Sequence, residues 1–97
     1  MYEKALKLAY KHYDLETLKH VERVADRVDT DVEKAVAILH DIVEDTDLEV
    51  EDLYDFDDLA DEVAHLTRTK AETYREYIHR VVKAGGIALK VKIADLD

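Results

Sequence analysis

The chain contains no proline, and its only two glycines stand side by side as Gly85-Gly86. An average sequence carries roughly 5 prolines and 7 glycines per hundred residues. With so few turn-forming residues, and with Ala, Leu, Glu and Lys abundant, the backbone is predicted to run as helices joined by short polar loops. A length of 97 residues implies one domain, residues 1–97, with a modest core. A hydrophobic content of 47% favours a folded chain over a disordered one despite the high charge. No apolar run reaches the length of a membrane span, and MYEKALKLAYKH lacks the apolar stretch of a signal peptide. No cysteine is present, which excludes disulfides and thiolate metal sites. These features point to a cytoplasmic protein with no membrane partner.

Hydrophobic spacing places the helices. Tyr2, Ala5, Leu6, Ala9 and Tyr13 recur at helical intervals. Asp14 is suited to cap a second helix with Leu18, Val21, Ala25 and Val28 as its buried stripe. Thr30 and Glu33 form a T-x-x-E capping box opening a third helix, with Val32, Ala35, Val36, Leu39 and Val43 facing the core. Thr46-Glu49 and Thr69-Glu72 repeat that pattern. They predict a short helix near residues 47–54 and a helix carrying Tyr74, Tyr77, Ile78, Val81 and Val82; between them residues 56–66 read as another helix. Gly85-Gly86 stops the chain's penultimate helix. In IALKVKIADLD, Ile87, Leu89, Val91 and Ile93 alternate like a strand, but a lone strand has no partner in a helical chain, so a helix is predicted. The expected fold is all-α, a compact bundle of about six helices.

Charge is unevenly spread. The net charge is -10, yet residues 41–65 hold 12 acids and no Lys or Arg, while residues 66–97 carry 7 basic groups against 4 acidic ones. An acidic domain is a poor nonspecific binder of nucleic-acid polymers, because phosphate neutralisation drives that binding. Most of residues 47–62 read as a solvated acidic surface.

Within AILHDIVEDTD, His40-Asp41 interrupts an apolar run and Glu44-Asp45 follows one turn later. On a continuous helix His40 shares a face with Glu44, and Asp41 with Asp45. Burying an imidazole beside a carboxylate is costly unless something compensates. A divalent metal does so, and mixed nitrogen and oxygen donors suit Mn, Fe, Co, Ni or Zn. The plainer alternative is a helix end with His40 hydrogen-bonded and the acids in water. His20, in the stripe of the second helix, and Asp95, beside apolar neighbours in the last one, are placed to complete a two-His, two-Asp set from three helices.

The order H…HD…D resembles HD-domain metal-dependent phosphohydrolases, closest to the RelA/SpoT-type (p)ppGpp hydrolases and their small stand-alone relatives. KHVERVAD (19–26) resembles the segment carrying the first metal-binding His, and AILHDIVEDTDLEVEDL (37–53) the HD helix with its HDxxED extension. LTRTKAETYREYIHRV (66–81) is similar to the LTR…ETYxxYI segment, and LKVKIADLD (89–97) to the one with the distal metal-binding Asp. The resemblance implies an HD-like fold and a metal site of His20, His40, Asp41 and Asp95, with Mn2+ the favoured ion. It implies Glu44 and Asp45 as the catalytic pair handling the attacking water. The activity implied is hydrolysis of a nucleotide or other phosphate ester, with the 3'-pyrophosphate of guanosine tetraphosphate as a candidate group. Lys11, Arg68, Tyr74 and Lys92 are candidate substrate contacts. For the cations the alternative is ion pairing with the acidic block; for Tyr74 it is a place in the core or at its rim.

Two departures from the family stand out. YDLET separates the first two helices without the family's glycine and proline, and the family usually continues past the distal Asp. The second departure leaves open a fragment, a minimal variant or a site completed in a homo-oligomer. A catalytically idle HD-like domain binding a nucleotide or protein is the alternative function. Glu62-x-x-His65 and Glu76-x-x-His79 also spell the E-x-x-H of di-iron carboxylate bundles, which requires both motifs on long facing helices.

Overall fold

A computed structural model describes residues 1–96, with the side chains of Val50, Tyr54, Asp55, Asp57 and Asp58 outside the description. Seven α-helices follow one another: α1 (Tyr2–His12), α2 (Leu15–Ala25), α3 (Asp31–Leu39), α4 (Ile42–Asp45), α5 (Asp57–His65), α6 (Tyr74–Ala84) and α7 (Gly86–Leu96). A 3-10 segment, Val50–Phe56, joins α4 to α5 and kinks at Leu53. Among the described residues no strand forms, so the alternating Ile87–Ile93 pattern is helical as expected. The all-α bundle is confirmed: six helices have nine residues or more, and α4 is a single turn. The radius of gyration, 12.2 Å, matches the roughly 12.5 Å of a compact chain of this length. No helix among the described residues is long and apolar enough to cross a membrane.

The bundle is organised around α3, which packs against α1, α2, α5 and α7. Being enclosed on all sides, it buries the continuous run Ala35, Val36, Ala37, Ile38 and Leu39 rather than a single stripe. The predicted box at its start is present: Thr30 Oγ1 accepts from Glu33 N–H at 3.1 Å, and Glu33 Oε1 accepts from Thr30 N–H at 2.9 Å. Lys90 of α7 adds an ion pair to Glu33 at 2.8 Å. Asp14 caps α2 as expected, accepting from Thr17 N–H at 2.8 Å.

Several local expectations are corrected. The third helix does not run through Val43; it ends at Leu39, and a turn at His40-Asp41 precedes α4. The Thr46-Glu49 box does not form. Thr46 Oγ1 bonds Ile42 O and Leu48 N, while Glu49 N–H is taken by the Asp52 carboxylate. The box opening α6 is Thr73-Glu76, four residues after the predicted one; Glu72 still accepts from Thr69 N–H at 3.0 Å, but it also pairs with Arg80, and no helix starts there. Val32 and Val82 face solvent, not the core. Gly85 ends α6 at φ 63° and ψ −153°, a conformation essentially confined to glycine.

Hydrogen bonds and Lys90 hold the Glu33 carboxyl down at about 2, against an ordinary 4.5, with the Lys90 bond the largest cause. A depressed carboxylate stabilises the fold above its unfolded value and loses that contribution as pH falls through the folded one. Glu33→Gln is therefore expected to be less stable than the wild type at neutral pH. The gap should close between about pH 4.5 and about pH 2 in urea unfolding followed by circular dichroism. A gap that stays constant across that window contradicts the role assigned to Glu33.

Candidate metal centre

The turn that breaks the third helix also builds the site. Asp41 adopts φ −100° and ψ 2°, the sparsely populated bridge region where residues of functional sites are often found. On an unbroken helix, neighbouring side chains diverge by about 100°. The turn instead brings His40 Nε2 to 3.2 Å from Asp41 Oδ2. The i→i+4 bond from Asp45 N–H to Asp41 O, 2.9 Å, restarts the helix immediately and holds Glu44 and Asp45 just beyond the pair.

Two other helices complete the cluster. His20 of α2 lies with its ring centroid 6.0 Å from that of His40. Asp95 of α7 accepts a 2.7 Å hydrogen bond from His20 Nε2, and the same Oδ1 lies 3.4 Å from His40 Nε2. His20 Nε2 is 3.9 Å from Asp41 Oδ2. The four residues singled out in the sequence thus meet at one place. Among the described residues, His20, His40 and Asp41 form the group whose potential ligand atoms all lie within 4.8 Å of one another, and Asp95 contacts both imidazoles.

Their protonation is partly fixed. A carbonyl can only accept, so the contact of His40 Nδ1 with Ala37 O places a proton on Nδ1. In the neutral ring, Nε2 then carries a lone pair. Nε2 is buried, has no hydrogen-bond partner, and faces two carboxylate oxygens. Its contacts to Asp41 and Asp95 are close but lack hydrogen-bond alignment, so we treat them as charge contacts. Burial opposes a charge on His40, but the Asp95 and Asp41 carboxylates outweigh it and raise its affinity for a proton. Burial also raises Asp41. Asp95 is driven the other way, well below the usual carboxylate range, first by the His40 imidazole and then by Lys92. An orphaned imidazole nitrogen aimed at carboxylates fits a cation, and a nitrogen and oxygen donor set fits a divalent transition metal.

The remaining predicted residues divide. Glu44 is exposed, and its Oε1 accepts from the backbone N–H of Arg68 at 2.7 Å. Asp45 is exposed beside it, its carboxyl raised by burial and by the Glu44 charge. Arg68 lies next to this pair, its Nε donating to Glu72 O at 3.1 Å. Tyr74 is about half exposed, at 51%, and sits on the rim beside Tyr77. Lys92 has its ammonium turned inward, 3.2 Å from Asp95 Oδ2 and 5.1 Å from the Tyr77 ring centre, where it props a carboxylate of the cluster. Lys11 lines a cleft of about 200 Å³ with Lys4, Lys7, Leu8 and Phe56, which none of the four cluster residues borders.

The E-x-x-H motifs do not converge. Glu62 caps the start of α7 by accepting from Ala88 N–H at 3.0 Å, and Glu76 serves the α6 capping box. Sequence reasoning missed two supports: the Ala37 carbonyl that sets the His40 tautomer, and Arg80. No side-chain pattern signals a carbonyl's role. Arg80 was visible only as part of the basic C-terminal third.

No family model matches the chain, and no curated protein matches it.

Because Lys92 and Asp95 are both largely buried, Lys92→Met leaves a carboxylate oxygen without its partner. A loss of roughly 1–3 kcal/mol is expected in denaturant unfolding of the metal-free protein. An unchanged midpoint contradicts the supporting role of Lys92.

Proposed function

We propose that this protein is a metal-dependent phosphohydrolase acting on a nucleotide. The observation that carries the reading is the orphaned His40 Nε2 between two carboxylates, in a cluster that also contains His20. His20, His40, Asp41 and Asp95 hold the ion, with Mn2+ favoured by the resemblance of these segments to HD-domain hydrolases. A bound divalent ion lowers the pKa of water and neutralises phosphate charge. Taking up a cation at His20 Nε2 requires the proton that this nitrogen shares with Asp95 to leave or to shift to Nδ1. The Glu44-Asp45 segment, exposed on α4 just after the His40-Asp41 turn, supplies the carboxylate that accepts the proton of the attacking water.

The surroundings support a phosphorylated substrate with a planar part. Arg68 stands beside Glu44 with an exposed guanidinium, suited to phosphate oxygens. The half-exposed Tyr74 ring offers a stacking face for a base. Guanosine tetraphosphate is the first nucleotide to try, on the strength of the sequence resemblance.

The test is phosphate or pyrophosphate release from a nucleotide panel in the presence of Mn2+, with and without chelator. Turnover is expected to need the metal. His40→Ala should reduce it by more than the roughly 10–100-fold that removing a ligand's hydrogen-bond partner costs. Metal bound without any turnover, or turnover indifferent to chelator and to His40→Ala, contradicts the hydrolase reading.

A further inference from the structure

We propose that the two acids after the His-Asp turn have different tasks: Glu44 is a positioning residue that latches the 66–73 loop to α4, and Asp45 is the proton acceptor. The inference rests on the hydrolase reading for its second half, while the latch stands on geometry alone.

One oxygen of Glu44 is committed to a backbone N–H that lies 24 residues away in the chain. That N–H, at Arg68, belongs to the connection between α5 and α6, outside either helix. The connection is itself knit into one piece. Arg80 of α6 grips the Glu72 carboxylate through Nε at 2.7 Å and Nη2 at 3.0 Å. Its Nη1 and Nη2 also donate to His65 O and Thr67 O, each at 2.9 Å. Glu72 in turn accepts from Thr69 N–H at 3.0 Å, and its carbonyl accepts from Arg68 Nε at 3.1 Å. Tyr77 OH donates to Leu66 O at 2.7 Å. These bonds tie the connection to itself, to α6 or to the last residue of α5. Among the described residues, only the Glu44 bond ties it to α4, directly after the turn that carries His40 and Asp41.

The consequence is positional. With Glu44 latched, the Arg68 backbone is held against α4, the helix that follows the His40-Asp41 turn. Asp45 carries no such tie among the described residues, and its carboxylate is exposed one residue further along α4. A proton acceptor needs a free oxygen within reach of water, whereas a latch needs only an acceptor oxygen of the right length. A glutamine amide oxygen meets the second need and not the first.

The discriminating experiment compares the wild type, Glu44→Gln, Glu44→Ala and Asp45→Asn. Turnover with Mn2+ and nucleotide is measured beside hydrogen exchange of the Arg68 amide by NMR. Glu44→Ala should speed Arg68 exchange and raise KM, and Glu44→Gln should restore both, with turnover within about tenfold of the wild type. Asp45→Asn should lose roughly 10²–10⁴-fold in kcat, the usual worth of a general base, with Arg68 exchange unchanged. Glu44→Gln as inactive as Asp45→Asn, with Arg68 still protected, overturns the division of tasks. Equal Arg68 exchange in the wild type and Glu44→Ala overturns the latch. A wild type without turnover overturns the hydrolase reading and the assignment of Asp45 together, and the latch is then decided by the exchange data.

Discussion

The hydrogen bond from His40 Nδ1 to the Ala37 carbonyl is the contact from which the rest of the site follows. It uses the one carbonyl that the end of α3 leaves within reach, and it turns the opposite nitrogen, with its lone pair, toward Asp41 and Asp95. A buried lone pair facing carboxylates is unfavourable in isolation. A proton acquired by Nε2 meets that cost, and so would a cation. Lys92 braces one carboxylate, and His20 reaches in from a third helix.

Position within the fold explains why these groups stay together. The enclosure of α3 by four other helices leaves His40 almost no freedom, while the turn at Asp41 lets the next carboxylate double back onto it. The other two partners, His20 and Asp95, come from helices that pack on α3 and on each other. The cluster is therefore buried at His40 and partly open to solvent at His20.

The helix count, the caps at Asp14 and Thr30 and the four residues that converge were legible in the sequence, because they rest on hydrophobic period and side-chain chemistry. The His40-Asp41 break stood in the sequence only as the plainer alternative of a helix end. Neither glycine nor proline marks it, and the apolar pattern runs straight through, so only the packed structure reveals the turn. The start of α6 was misplaced because two T-x-x-E patterns follow one another directly, Thr69-Glu72 and Thr73-Glu76, and only the structure shows Glu72 paired with Arg80 while the second box opens the helix. The surroundings of Lys92 were not legible for a related reason: nothing in a basic segment shows that the Asp95 carboxylate and two tyrosine rings lie around this lysine.

The central claim is that His20, His40, Asp41 and Asp95 are built for a divalent cation. A crystal grown with Mn2+ and measured at the manganese edge tests it most directly. The account predicts one anomalous peak per chain, touching both imidazoles and both carboxylates. A chain saturated with Mn2+ that shows no peak there, or shows one only among the acids of residues 47–62, contradicts it.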